Sequence, residues 1–282
     1  MAASAPGAGR PARGAARVSA PAERQVPVNG EPCRVWEKGK GEPLGFLPSF
    51  GGCPHWTPFL DRLAERRRVV VPSLPGFPGG ASVHKQLDDL PDWLAATLDL
   101  LEGAGLAGAD LIGHGVGGAL AAEAAALSRE TVRRLVLIAP LGLFDEAEPV
   151  ADPWARRASE LPGLLSARPE AFARELVPPE GADEVEWQID LLRASEAAAR
   201  LLWPTGDRGL AKRLHRITQP TLLLWGSQDA IVPASYAKRF ADGIAGPVTL
   251  RSLESAGHRL DFDAPEAAAD AILEFLEGAS AA

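Results

Sequence analysis

The chain has 282 residues, 46% of them hydrophobic, and a formal net charge of −8. That length suits one large α/β domain carrying an insertion, the favoured reading, or two small domains, and the acidic balance argues against nucleic acid or an anionic membrane as a partner, because neither is attracted to a negative surface. The two cysteines, Cys33 and Cys53, form neither a metal-ligand spacing nor a disulfide framework, so no metal is expected and a reducing, cytoplasmic setting is.

Residues 1–24 are mostly Ala, Gly, Pro and Arg. They hold almost no large apolar side chains and lack the apolar centre of a secretory signal, so they are expected to form a disordered tail outside the fold. Val26–Val28 and Cys33–Trp36 then flank Asn29-Gly30, a pair that predicts a hairpin. Leu44–Leu47, Arg68–Val71, Asp110–Ile112 and Leu135–Ile138 read as short buried strands. Helical patterns over His55–Arg66, Leu87–Glu102 and Val116–Leu127 alternate with them, the rhythm of a parallel sheet covered on both faces.

That rhythm stops after Pro140. Residues 142–215 scatter seven prolines among helical stretches such as Glu184–Leu202, which predicts a helical insertion acting as a lid beside a binding cleft. Pro220–Trp225 and Val248–Leu253 resume the strand pattern, and Pro265–Leu276 places Ala268, Ile272, Phe275 and Leu276 on one face of a closing helix. The expected organisation is a tail over 1–24, a core over 25–141, a cap over 142–215 and the rest of the core over 216–278. No apolar run approaches the roughly 20 residues that cross a bilayer.

The most informative stretch is Asp110-Leu111-Ile112-Gly113-His114-Gly115-Val116-Gly117-Gly118. It reads as strand, glycine-flanked turn and alanine-rich helix, the pattern of a G-x-S-x-G nucleophile elbow with Gly115 at the serine position. Two further segments follow: Leu222 to Pro233, containing Gly226-Ser227-Gln228-Asp229, and Ser255-Ala256-Gly257-His258 with Asp263-Ala264-Pro265-Glu266 behind it. On these three markers, in the order elbow, acid, histidine, the chain resembles the α/β-hydrolase family from about Val26 to Leu276.

The resemblance implies an α/β fold with an eight-stranded, mostly parallel sheet, flanking helices and a helical lid. It also implies that Asp229 orients His258 and that the amides of Phe50 and Val116 form an oxyanion hole. Two departures lie nearby. Pro48 and Ser49 stand where the family has a His-Gly pair, and Ser73, within Val71 to Phe77, stands where it has an aspartate.

Glycine offers no nucleophile, and removing the serine of such a hydrolase costs roughly 10⁶ in turnover. The dyad His258–Asp229 still supplies a general acid/base near neutral pH. The expected activity is therefore hydrolase-like, or lyase- or cyclase-like, on a small, partly apolar organic substrate, without a covalent serine intermediate and without a cofactor. Ser49, Gly51, His114, Trp154 and Trp187 are the candidate substrate contacts, although packing or hydrogen bonding is the commoner role for a residue placed like His114. Cys53 is a stronger nucleophile by chemistry but approaches from the wrong side; Ser49 is slightly better placed.

Two other readings stand beside this one. The departures at Pro48, Ser49, Ser73 and Gly115 fit a pseudoenzyme that keeps its pocket as a ligand-binding module. Gly113 to Gly118 also satisfies G-x-G-x-x-G between a strand and a helix, the cradle of a dinucleotide pyrophosphate. The acidic residue expected about 20 positions later is missing from Leu137-Ile138-Ala139-Pro140. The sequence leaves a monomer or a homodimer open.

Overall fold

The computed structural model describes residues 20–278. Asn29 and Gly30 both take positive φ, 49° and 83°, and this turn joins β1 (Ala22–Val28) to β2 (Glu31–Lys38) as the predicted hairpin. The strand begins three residues earlier than the expected tail boundary, because Ala22, Glu23 and Arg24 pair with Glu37, Trp36 and Val35. The rest of the expected tail, residues 1–19, lies outside the described residues.

Six further strands complete one sheet: β3 (Pro43–Leu47), β4 (Arg68–Pro72), β5 (Ala109–His114), β6 (Val132–Ile138), β7 (Thr221–Gly226) and β8 (Val248–Leu253). Their order is β1-β2-β4-β3-β5-β6-β7-β8, with β2 antiparallel to both β1 and β4 and every later pair parallel. The central strands are apolar on both faces, as parallel strands between helix layers must be. Leu111, Leu135, Leu137 and Leu223 pack into one core, while Ile112, Val136, Ile138, Leu222 and Leu224 pack into the other.

On the second of these faces lie α1 (Pro58–Ala64) and α9 (Pro265–Gly278), through Phe59, Leu63, Ile272 and Leu276. The helix α1 is shorter than the pattern over His55–Arg66 suggests, because Thr57 caps its start by accepting from the Leu60 N–H and Pro58 opens the first turn. On the first face lie α2 (Leu90–Gly103), α3 (Gly115–Leu127) and α7 (Ser235–Gly243). All of α3 except its last residue is buried. Its alanines let it approach the sheet closely and fix the turn that precedes it.

Between β6 and β7 the chain forms α4 (Leu161–Leu165), α5 (Pro169–Glu175) and α6 (Glu184–Leu202). They fall in the segment expected to form the cap, and Leu165, Phe172 and Leu192 line a large cavity. Asp183 caps α6 by accepting from the N–H groups of Val185 and Glu186, and Ala194, Ala197, Ala198 and Leu201 form its buried face. The short α8 (Leu260–Asp263) leads directly into α9.

Candidate active site

Parallel pairing of β3 with β5 sets Leu47 opposite Gly113. The next residues of both strands therefore leave the sheet side by side, which brings the segment after Leu47 against the start of α3. The Gly117 N–H donates to the Pro48 carbonyl at 3.1 Å, and the Gly52 N–H closes a turn onto the Ser49 carbonyl at 3.0 Å. Gly115 sits at φ +49°, the left-handed region that an elbow residue occupies under strain and a glycine occupies freely.

Beyond β7, Asp229 is held by its own loop. Its Oδ1 accepts from the N–H groups of Ile231 at 2.8 Å and Val232 at 2.9 Å, leaving Oδ2 facing the His258 Nδ1 at 3.0 Å. The segment that delivers His258 is fastened by Asp263. This carboxylate accepts from the Gly257 N–H at 2.7 Å, the Ala167 N–H at 2.9 Å and the Ser166 hydroxyl at 2.5 Å, so the link between α4 and α5 and the histidine loop share one anchor.

Asp229 accepting from Nδ1–H fixes the tautomer that leaves the His258 Nε2 lone pair free. That nitrogen lies 3.1 Å from the Ser49 hydroxyl. Both residues are buried, Ser49 at 2% exposure and His258 at 0%. The three groups form a carboxylate, imidazole and hydroxyl relay in which the hydroxyl comes from the loop after β3 and not from the elbow.

His114 lies behind the relay and not in a substrate cavity. Its Nε2 is 2.7 Å from the His258 carbonyl oxygen, its ring centroid is 5.1 Å from that of His258, and its Nδ1 is 3.6 Å from Asp261 Oδ1. Burial pushes its pKa down to about 4, so it is neutral near pH 7 and holds the His258 backbone as a hydrogen-bond donor. Burial would raise the Asp261 carboxyl, but the Arg259 guanidinium, forked onto it at 2.8 and 2.9 Å, holds it well below the usual carboxylate range.

A cavity of about 600 Å³ separates the cap from the loops at the strand ends, lined by Phe46, Phe50, Gly51, Trp154, Phe172 and Leu192 among others. It stops short of the relay. Ser49, Asp229 and His258 are not among its lining residues, whereas Phe50 is, with its ring 5.8 Å from His258 and 5.7 Å from Trp154. On the other side of Phe50 and Trp154 is a much smaller hollow of about 20 Å³ against Leu141, Gly142 and Val150.

Of the residues expected to touch substrate, Gly51 and Trp154 line the large cavity. Ser49 is turned onto His258. Trp187 belongs elsewhere: its indole N–H donates to the Leu176 carbonyl at 2.9 Å and fastens α6 to the end of α5. Cys53 does line the cavity, but its thiol donates to the His55 carbonyl at 3.2 Å, and burial pushes its pKa up to about 12, which removes the thiolate that nucleophilic attack needs.

The glycines of the G-x-G-x-x-G match are set by packing. A Cβ at Gly117 would overlap the Leu47 carbonyl, and one at Gly118 would stand 2.9 Å from Pro140 Cβ. The Gly117 N–H is already spent on Pro48, so the loop after β3 fills the place a pyrophosphate would take. Among the described residues no cluster of His, Cys, Asp and Glu is arranged to hold a metal ion, and no helix is long and apolar enough to cross a membrane.

Sequence reasoning missed the Asp261–Arg259 pair and the Asp263 anchor. Both follow His258 within five residues, and their only signal was the charge cluster itself.

A model of the alpha/beta hydrolase family matches residues 46–271. The chain is 32% identical, over 93% of its length and 71% of the relative's, to the dihydrolipoyllysine-residue acetyltransferase component of an acetoin cleaving system from Pseudomonas putida. It is 28% identical, over 92% of its length and 95% of the relative's, to a 2-hydroxymuconate semialdehyde hydrolase from Pseudomonas sp. strain CF600. A crystal structure of a serine hydrolase involved in carbazole degradation superposes with a TM-score of 0.69 at 21% identity, covering 92% of this chain and 99% of the other.

Proposed function

This chain belongs to the alpha/beta hydrolase family, and we propose that it hydrolyses a small, partly apolar organic substrate at a bond next to a carbonyl, with His258 as general base and acid. The observation that carries this reading is the Asp229 Oδ2 to His258 Nδ1 contact of 3.0 Å. The carboxylate fixes the ring and stabilises the imidazolium that forms when Nε2 takes a proton. A semialdehyde hydrolase and an acetyltransferase among the relatives agree with carbonyl chemistry.

The cavity between cap and core supplies apolar walls for the substrate. The N–H of Val116 is an oxyanion donor, because the second residue of a helix has no intrahelical acceptor and the helix dipole favours negative charge there. The amide of Phe50, in the loop that the Pro48 carbonyl ties to Gly117, is assigned as the second donor. A silent ligand-binding protein is the competing reading, favoured by the complete burial of His258 behind Phe50.

A panel of aryl esters, thioesters and 1,3-diketones separates the two. Hydrolysis of at least one member is expected, with Asp229→Asn reducing turnover on the order of 10⁴-fold and His258→Ala by at least as much. Equal rates in all three proteins, or binding of a panel member with no turnover, would reject the hydrolase.

A further inference from the structure

We infer that Ser49 is the nucleophile of this hydrolase, its hydroxyl occupying the place an elbow serine would fill. A Cβ built on Gly115 would overlap the Ser49 hydroxyl oxygen, with Ser49 Cβ at 2.9 Å and the His258 Nε2 at 2.7 Å. The position of the elbow side chain is therefore filled, and what fills it is a hydroxyl within hydrogen-bond distance of the catalytic nitrogen. An elbow side chain and Ser49 cannot share that space, so the glycine at 115 and the serine at 49 are two halves of one arrangement. The strand register explains how: Leu47 and Gly113 are paired neighbours, and Ser49 and Gly115 each lie two residues further along.

Ser49 is also fixed as a catalytic group must be. The Gly117 N–H grips the carbonyl before it, and the Gly52 N–H grips its own carbonyl, which leaves the side chain aimed at His258. The oxyanion donors keep their identity under this exchange. One is the amide following the nucleophile and the other the amide following the opposing residue; with the hydroxyl on Ser49 these are Phe50 and Val116, the same two groups with their parts reversed.

The reaction on an ester then balances as follows. Ser49 Oγ forms a bond to the carbonyl carbon while its proton passes to the His258 Nε2, and the carbonyl electron pair moves to oxygen at the start of α3. That pair returns as the bond to the alkoxy oxygen breaks, and the alcohol leaves with the proton from His258. Water next adds to the acyl group, giving its proton to Nε2. The bond to Ser49 Oγ breaks, the proton returns to it, and the carboxylic acid departs.

The inference rests on the hydrolase reading, and its test is chosen so that each fails separately. A small fluorophosphonate is incubated with the native chain, Ser49→Ala, His258→Ala and the reciprocal exchange Ser49→Gly with Gly115→Ser, and the labelled peptide is mapped by mass spectrometry. Turnover of p-nitrophenyl acetate is read in parallel. The expected result is phosphonylation of Ser49 in the native chain, its loss in both single variants, a fall in turnover of 10³-fold or more in Ser49→Ala, and relocation of the label to position 115 in the exchange. Turnover that survives Ser49→Ala but not His258→Ala would overturn the inference and leave the hydrolase with direct attack by water. Labelling at any other residue of the native chain, or none at all, would also overturn it.

Discussion

Gly115→Ser restores the side chain that the elbow pattern asks for, and the structure says it will destabilise the protein unless Ser49 is removed with it. Two costs combine. A residue with a Cβ at φ +49° is strained by about 1–3 kcal/mol. The Cβ also overlaps the Ser49 hydroxyl and crowds the His258 Nε2 at 2.7 Å, an overpacking of about 1–3 kcal/mol. Ser49→Gly removes the overlap with Ser49, the larger part of the second cost, while keeping the backbone strain and the approach to His258. By itself it loses a buried hydrogen bond and gains backbone freedom, each worth about 1 kcal/mol.

The double variant should therefore be more stable than the sum of the single changes predicts, by about 1–3 kcal/mol, the overpacking that disappears. Urea unfolding of the four proteins gives the cycle, provided the m-values agree. Additivity within about 0.5 kcal/mol would refute the steric exchange between the two positions, and with it the reason given for glycine at 115.

Phe50→Ala should join the 600 Å³ cavity to the relay, raising kcat/KM for p-nitrophenyl octanoate relative to the acetate several-fold, while the backbone donor at 50 is kept; an unchanged ratio would mean that Phe50 does not divide the two spaces. Stability should depend on His114. Its folded pKa of about 4 lies below the ordinary histidine value of 6.5, so its contribution is complete above pH 6.5 and is lost as pH falls from there toward 4, by up to roughly 3 kcal/mol. His114→Gln should flatten the fall of the urea midpoint in that window, and identical pH profiles would count against a neutral buried imidazole.

The fold was legible because periodicity and punctuation agreed. The central strands are continuous apolar runs, Asn29-Gly30 turns the hairpin, and α6 covers the predicted Glu184–Leu202 without change. Asp229 and His258 were legible because each follows a strand end in a recognisable segment. Ser49 was visible only as a departure from a family pattern. Its role depends on the register of β3 against β5 and on the Ser49 hydroxyl taking the place of a side chain at Gly115, and neither is a property of the residues within one window. Trp187 and His114 do not line the large cavity for a related reason: an aromatic or imidazole side chain is placed by hydrogen bonds that its own window does not show, here to the carbonyls of Leu176 and His258.

The central claim is that Ser49, His258 and Asp229 act as one acyl-transfer relay. The most direct measurement is an acid quench of the native chain during its first turnover of p-nitrophenyl acetate, followed by peptide mapping. An acetyl ester on Ser49 that forms and decays within the catalytic cycle is the predicted result. Continued turnover with Ser49 unmodified at every quench time, or an acetyl group carried by another side chain at a matching rate, would contradict it.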